Sequence, residues 1–595
     1  MERETTIQAI FAPTDVEFRI PPYQRAYAWE TVKDKKQIPQ FLDDLKEHPQ
    51  AEGVGKSYFL GHFLFEREQA SENEILVIDG QQRLTTVVIF FHCLVLELAA
   101  RQQSGESLEL ADGEEVDLQR LRKTYVMDDG SRRKLKTVGY DDDLFRSMIL
   151  HGSSLAPPVT HSGKRLKDAV EYMTKRMAEQ KSTVELIRWM GLVEGAAIST
   201  FEVRSKEQAT QIFAFQNDRG KDLTNLEKLK AYLMHVVYVH SHENIETESI
   251  QDLERKFAEI YRLAEEIQSL NEDQVLTHHL MAFVDWTTEP VDLLKRQLRT
   301  MPPGHERVEW IRDFCSKLVQ SFKNVAKIEI LKNGGFQHER LIGDVLHLNP
   351  QASWPLLLKL MHFHAHELVR AEEALRLMEV TLFKLQFMKG KWTNRLPNIA
   401  NSYTDGRLDV LEEELTRVSQ NGFQDSWDFN GGFRGYLGGS NNFHREARYI
   451  LWKYENALRA SERGVHHLSL REYLNDTEGQ SLDGSIEHIM PQNPETLVLS
   501  DEFRMQYLDN LGNLVLMTRG RNSSLKNKLP CEKANSLEYT TPYLTQQAVV
   551  QTIRERGWGE VEIAERKQKI VQFALAYWRV SVESPTEDDA EPLTL

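Results

Sequence analysis

Ser485-Ile486-Glu487-His488-Ile489-Met490-Pro491-Gln492 decides how the C-terminal part of this chain folds. Ile486, His488 and Met490 alternate with Glu487 and Ile489, the two-residue period of a β-strand that ends at the proline. Further on, Asn513-Leu514-Val515-Leu516-Met517-Thr518 is a short apolar run with a β-branched member, a second strand. Asn522 or Ser523 can then cap a helix, because the residues that follow keep helical spacing. The order is strand, strand, helix.

The side chains on that frame suit phosphodiester hydrolysis. The reaction needs a base to deprotonate water, a cation to stabilise charge on the leaving oxygen, and groups that hold both. A neutral imidazole suits the base, since histidine titrates near neutrality. Glu487 and the side-chain oxygen of Asn522 are hard ligands of the kind Mg²⁺ or Mn²⁺ takes. A Glu-His pair before a proline is by itself only a strand end. With Asn513, Asn522 and Asn527 at compatible spacing it resembles the ββα-metal site of HNH nucleases. That resemblance makes His488 the general base, Glu487 a metal ligand, Asn513 the residue that orients the base and Asn522 the last ligand, with Asn527 competing for that role. Glu487 stands where aspartate is common.

Near the N-terminus, Glu74-Ile75-Leu76-Val77-Ile78 has the composition of a buried strand. Asp79-Gly80-Gln81-Gln82-Arg83 then turns into an apolar helix over 87–98. A glycine turn feeding a helix N-terminus presents backbone N–H groups and the positive end of the dipole, for which phosphate is the natural guest, and Arg83 can fork onto it. Upstream, Pro21-Pro22-Tyr23-Gln24-Arg25-Ala26-Tyr27-Ala28-Trp29 joins a proline-stiffened segment to a guanidinium and aromatic rings. Downstream, Asn217-Asp218-Arg219-Gly220-Lys221-Asp222-Leu223-Thr224 precedes a capped helix over 224–234.

In this order the three segments closely resemble the N-terminal module of the GmrSD family, and the Glu-His and Gly-Asn elements resemble its C-terminal module. The resemblance implies an α+β, predominantly helical chain. Its parts would be a ParB/sulfiredoxin-like nucleotide-binding domain over 1–238, a helical connecting region over 239–425, an HNH nuclease domain over 426–583 and an acidic tail over 584–595. It also implies a type IV restriction enzyme of phage defence, related to BrxU-like proteins, that cuts double-stranded DNA carrying hydroxymethylated or glucosylated cytosine. A nucleoside triphosphate (ATP, GTP, UTP or CTP) would bind Asp79, Gly80, Gln81, Gln82 and Arg83, with Arg25 and Arg219 flanking it, and be hydrolysed.

Composition bounds this expectation. A chain of 595 residues can bury roughly three or four domain-sized cores. Cys93, Cys315 and Cys531 are widely separated with no Cys-x-x-Cys spacing, so neither a thiolate zinc site nor a disulfide framework is indicated, which fits a reducing cytoplasm. The N-terminal residues lack a basic region followed by an apolar core, so no signal peptide is expected, and the run over 87–98 is expected to be too short to span a bilayer. A net charge of −17 argues against unspecific DNA coating. Locally the balance inverts: over 517–533 five basic residues (Arg519, Arg521, Lys526, Lys528, Lys533) face one acid, Glu532, and are expected to face DNA.

The middle of the chain carries helical periodicity, for example over 253–270, 371–388 and 447–458, read as core stripes of a spacer. Gly334-Gly335 and Gly431-Gly432, followed by Gly438-Gly439, are expected turns. His362, His364 and His366 lack a third ligand at metal spacing and are expected to be structural. Residues 104–117 read as a mobile acidic loop, and Arg132-Arg133-Lys134-Leu135-Lys136 as an exposed basic loop or solvated hairpin. A homodimer would let one HNH site per chain cut both strands. The alternatives are a nucleotide sensor whose HNH domain is silent, and an RNA-directed nuclease.

Overall fold

The computed structural model describes residues 3–203, 224–387, 396–421, 429–439, 446–469, 472, 484–518 and 525–579, less 14, 33–36, 49–57, 68–72, 111–112, 129–131, 152–156, 242, 526 and 537–542. The architecture is predominantly helical α+β, in two compact units. The first comprises residues 1–277 and 287–323, the second 278–286 and 324–595.

A six-stranded mixed sheet anchors the first unit. Its strands are β1 (Arg3–Thr6), β2 (Glu17–Arg19), β3 (Phe59–Arg67), β4 (Glu74–Asp79), β5 (Leu135–Lys136) and β6 (Ala197–Val203), in the spatial order β1-β6-β3-β4-β2-β5. β3 runs antiparallel to β4, while β4 and β2 are parallel, with Phe18 opposite Ile75. Helix α1 (Gln81–Gln103) leaves β4 through Gly80 and is buried nearly all round, as its apolar composition requires. It is long and apolar enough to cross a membrane, yet 67% of its most apolar window is buried inside the unit.

This helix starts six residues earlier than its apolar run, because polar groups in the first turns find partners. Thr85 Oγ1 donates to Gln81 O at 2.8 Å and Thr86 Oγ1 to Gln82 O at 2.8 Å. Gly80 has φ of 89°, and a Cβ there would lie 2.4 Å from the Phe63 ring. Both the left-handed backbone and the close approach demand glycine. Gly80→Ala is expected to cost the first unit about 2 to 4 kcal/mol, measured as an earlier denaturant midpoint for that unit's transition.

Two expectations are corrected in this unit. Arg132 to Lys136 do not form an exposed basic loop: the chain pairs back as a hairpin, Met127 opposite Arg133, but it is not solvated, since Arg133 and Lys134 are buried and Leu135–Lys136 is β5. Arg133 makes a two-pronged ion pair with Asp142 at 2.9 and 2.8 Å, and Lys134 Nζ donates to Pro13 O at 2.8 Å. The described residues of the acidic stretch, 104–110 and 113–117, are likewise tied down, since Leu108 and Val116 enter the core and bond to each other through the backbone. Flanking aspartates and glycines masked two apolar anchors.

The second unit is built from helices that include α2 (Gln337–Leu348), α3 (Glu372–Phe387) and α4 (Glu446–Ser461). A buried charge cluster joins them: Lys453 Nζ lies 2.5 Å from Asp344 Oδ2 and 3.9 Å from Glu379 Oε1. Tyr449 OH and Trp578 Nε1 both donate to that Glu379 oxygen. Burial pushes both carboxyls above their ordinary range, and Lys453 draws them back. His364 Nε2 lies 2.7 Å from Tyr403 OH, so its ring has a structural partner.

Gly431 and Gly432 are not a turn. They lie inside a helix, Phe429–Gly439, whose Phe433 and Leu437 are buried. An apolar pair one turn apart overrides the poor helix propensity of glycine, which is worth only about 1 kcal/mol per residue. By contrast Gly334 and Gly335 do separate two helices.

Candidate active site

The two strands read from the sequence are present. β7 (Gly484–His488) pairs antiparallel with β8 (Leu514–Thr518), His488 opposite Leu514 and Glu487 opposite Val515. Ile489 closes the underside with Val515, Ala534, Val549 and Ile553. The helix expected from Ser523 falls largely on residues outside those described, as does Asn522. The described continuation is Asn527, half-buried in a turn, and the short helix α5 (Pro530–Ala534).

Strand alternation sends Glu487 and His488 to opposite sides. His488 stays partly open, and its Nε2 lies 2.8 Å from Asp509 Oδ1, with Gln492 Nε2 at 3.5 Å. The side chains of His488 and Asp509 are 19% and 26% exposed, so the pair is reachable from solvent yet ordered by its surroundings. Sequence reasoning missed Asp509. It follows a π turn over Arg504–Leu508, and nothing in its spacing from His488 marks it.

Asn513 is fully buried and does not reach the imidazole by any described bond. It latches backbone instead. Its Oδ1 accepts from Met490 N at 2.8 Å and from Trp558 Nε1 at 3.3 Å, and its Nδ2 donates to Met490 O and Leu508 O at 3.1 and 2.9 Å. One amide thus ties the residue two beyond His488 to the residue preceding Asp509, which fixes the spacing of the pair from below. Helix α6 (Glu560–Tyr577) clamps the same turn: Arg566 Nη1 donates to the carbonyls of Leu511, Gly512 and Leu514. A Cβ at Gly512 would sit 1.9 Å from Ile563 O, so only glycine lets the helix this close.

Glu487 points inward onto Lys533. The Lys533 ammonium, fully buried, donates to Glu487 Oε1, to His488 O at 2.6 Å and to Ile489 O at 3.3 Å. Burial pushes the Glu487 carboxyl up from its ordinary value, and Lys533 opposes that shift. Lys533 therefore does not belong with the basic residues expected to face DNA. Of those five, Lys528 is exposed, and Arg519, Arg521 and Lys526 lie outside the described residues.

The donor chemistry available for a cation is carboxylate plus amide oxygen, the hard type that Mg²⁺ and Mn²⁺ take. Among the described residues no three or more His, Cys, Asp or Glu side chains converge as a metal cluster. Glu487 brings one negative charge, and Lys533 already balances it.

In the first unit the N-terminal motifs also meet. Gln24 Nε2 donates to Ile78 O at 2.6 Å, and Gln82 bonds the backbone of Ala26 and Ala28. Tyr27 OH lies 2.8 Å from Thr86 Oγ1. Arg83 donates to Leu60 O at 3.2 Å and His62 O at 2.7 Å, lies over the Phe63 ring and stands 3.9 Å from Asp79. Gln81 is buried, while Asp79 is exposed beside Gly80. Burial lowers the Arg25 pKa, against the pull of Glu227 and Asp79. Asn217 and Arg219 lie outside the described residues.

Residues 7–234 match the GmrSD restriction endonuclease N-terminal domain, and residues 425–573 match the C-terminal domain of GmrSD restriction endonucleases. A search of curated proteins finds no match. The two family matches take in well over half of the chain, in the order that the N-terminal sheet and the β7–β8 site occupy. The chain belongs to the GmrSD family of type IV restriction endonucleases, whose substrate is DNA.

Proposed function

We propose that the chain cleaves DNA with modified cytosines by metal-dependent hydrolysis at His488, under the control of a nucleoside triphosphate. The observation that carries this reading is the partly open His488–Asp509 pair at the end of β7. Asp509 accepts the Nε2 proton, which leaves the lone pair on Nδ1. Nδ1 takes a proton from water as the oxygen attacks phosphorus, and the 3′ oxygen departs. To hold Mg²⁺ or Mn²⁺ with the amide of Asn522 or Asn527, Glu487 would have to turn from Lys533 toward the His488 side of the strand; the cation would supply charge stabilisation at the phosphate. The HNH ββα assignment draws on the β7–β8 pairing, and the ParB/sulfiredoxin-like assignment on the mixed sheet of the first unit.

For the triphosphate, the support is the Gly80 turn at the N-terminus of α1; Gln82 braces the turn through Ala26 O and Ala28 N–H, and Arg83 through the carbonyls of Leu60 and His62. A cytoplasmic enzyme of phage defence, acting as a homodimer to cut both strands, completes the reading. The test is cleavage of unmodified DNA and of DNA with glucosylated hydroxymethylcytosine, in Mg²⁺ or Mn²⁺, with and without triphosphate. Cutting confined to modified DNA and changed by nucleotide is the expected result; equal cutting of both DNAs contradicts the specificity, and indifference to nucleotide contradicts the control.

Asp509→Asn keeps the shape and removes the charge that fixes the imidazole tautomer. Its kcat is expected to fall on the order of 10²-fold with KM little changed. A variant with wild-type turnover would detach Asp509 from the chemistry.

A further inference from the structure

A cavity of about 630 Å³ opens in the first unit, walled by residues far apart in the chain: Arg25, Tyr140, Arg165, Tyr261, Ala264 and Glu272 among them. Its size is that of a small-molecule site. The charges on its walls decide what it can hold. Arg165 Nη2 lies 3.5 Å from Glu30, and His161 Nδ1 lies 2.7 Å from Glu265. Arg25 stands in the field of Glu227 and Asp79. Arg165 also lies near enough to Arg25 to lower its pKa, and the Lys230 ammonium sits behind the two tyrosines, but Glu227, Glu272 and Asp273 line the same wall. A triphosphate brings three to four negative charges and needs cations that are not already paired. Among the described residues this lining sets three acids, Glu227, Glu272 and Asp273, against two guanidiniums, Arg25 and Arg165, and so offers it no cation in surplus.

A neutral guest with a flat face and hydroxyl or amine donors meets the opposite conditions. Tyr140 and Tyr261, with ring centroids 5.4 Å apart, line the cavity with the ring surface that the Lys230 ammonium does not cover, and the Glu272 carboxyl beside them can bond polar substituents. Burial raises the Glu272 carboxyl to about 7, so it can serve as donor or acceptor near neutrality. In a DNA-cutting enzyme, the neutral group of this size is one nucleoside rotated out of the duplex.

We propose that this cavity receives a single extrahelical nucleoside and that Glu272 reads the hydroxyl groups carried by its base. The proposal rests on the modified-DNA reading and gives it a location that borders the Gly80 turn through Arg25 and the Gln82-bonded Ala26 and Ala28.

The test uses the full chain without divalent metal, so that binding is observed and cutting is not. Affinity is measured by fluorescence anisotropy for duplexes carrying one cytosine, one 5-hydroxymethylcytosine or one glucosylated hydroxymethylcytosine, and triphosphate binding is followed by calorimetry. Wild type is expected to favour the modified duplexes. Glu272→Gln removes the charge without changing shape, and Ala264→Phe fills the cavity from a half-buried position. Each is expected to reduce the modified-to-unmodified preference 10-fold or more, with unmodified binding and triphosphate binding held. A preference that survives in both variants overturns the proposal and leaves the modified-DNA reading intact. Triphosphate binding lost in both variants while the preference persists makes the cavity a nucleotide site and also overturns it. No preference in wild type removes the modified-DNA reading, and the proposal with it.

Discussion

His488→Ala should abolish cleavage and leave DNA binding untouched. A positioned general base contributes about 10² to 10⁴ in rate, and the nearest alternative acceptor is Asp509. Without the ring, Asp509 is a partly exposed carboxylate, a much weaker base at neutral pH than imidazole. Because His488 sits at the end of β7 with its side chain partly open, truncation leaves no buried cavity, and the fold should stay within about 1 kcal/mol of wild type. Single-turnover cleavage beside equilibrium binding separates the two effects. Retained cleavage would remove His488 from the active site, whereas lost binding would make it a contact residue.

The sequence discloses this site unevenly, and the reasons are physical. Glu487, His488 and the two strands are legible because alternation and an apolar run are local properties. Asp509 is not, because its meeting with His488 depends on how the chain between β7 and β8 turns, which Asn513 and Arg566 fix through backbone carbonyls. Lys533 misleads for a related reason: a lysine among basic neighbours looks solvated, and only the packing of α5 beneath β7 shows it buried on Glu487. At the N-terminus, Gln82 and Arg83 have the chemistry of ligand-binding groups, yet their partners are the main chain at Ala26, Ala28, Leu60 and His62. Carbonyl acceptors leave no trace in a sequence. The sheet order and the cavity beside Arg25 are assembled from distant segments and were beyond any window-based reading.

Replacing Lys533 by methionine is the second large perturbation, and it separates scaffold from chemistry. The Lys533 ammonium has no exposure and donates to one carboxylate and two carbonyls. Methionine fills much of the space but leaves Glu487 and the carbonyls of His488 and Ile489 facing an apolar group. Breaking a buried pair by removing one partner typically costs about 3 to 5 kcal/mol. The second unit should therefore unfold at markedly lower denaturant, and wild-type stability in Lys533→Met would refute the pairing. Adding Glu487→Gln removes the stranded charge, so the double variant should recover part of the loss, giving a coupling on the order of 1 to 3 kcal/mol between two contacting residues. Cleavage should not recover with it. A glutamine at 487 restores the fold without restoring an anionic ligand, so a stable, inactive double variant places Glu487 in the chemistry, and a stable, active one reduces it to a counter-ion for Lys533.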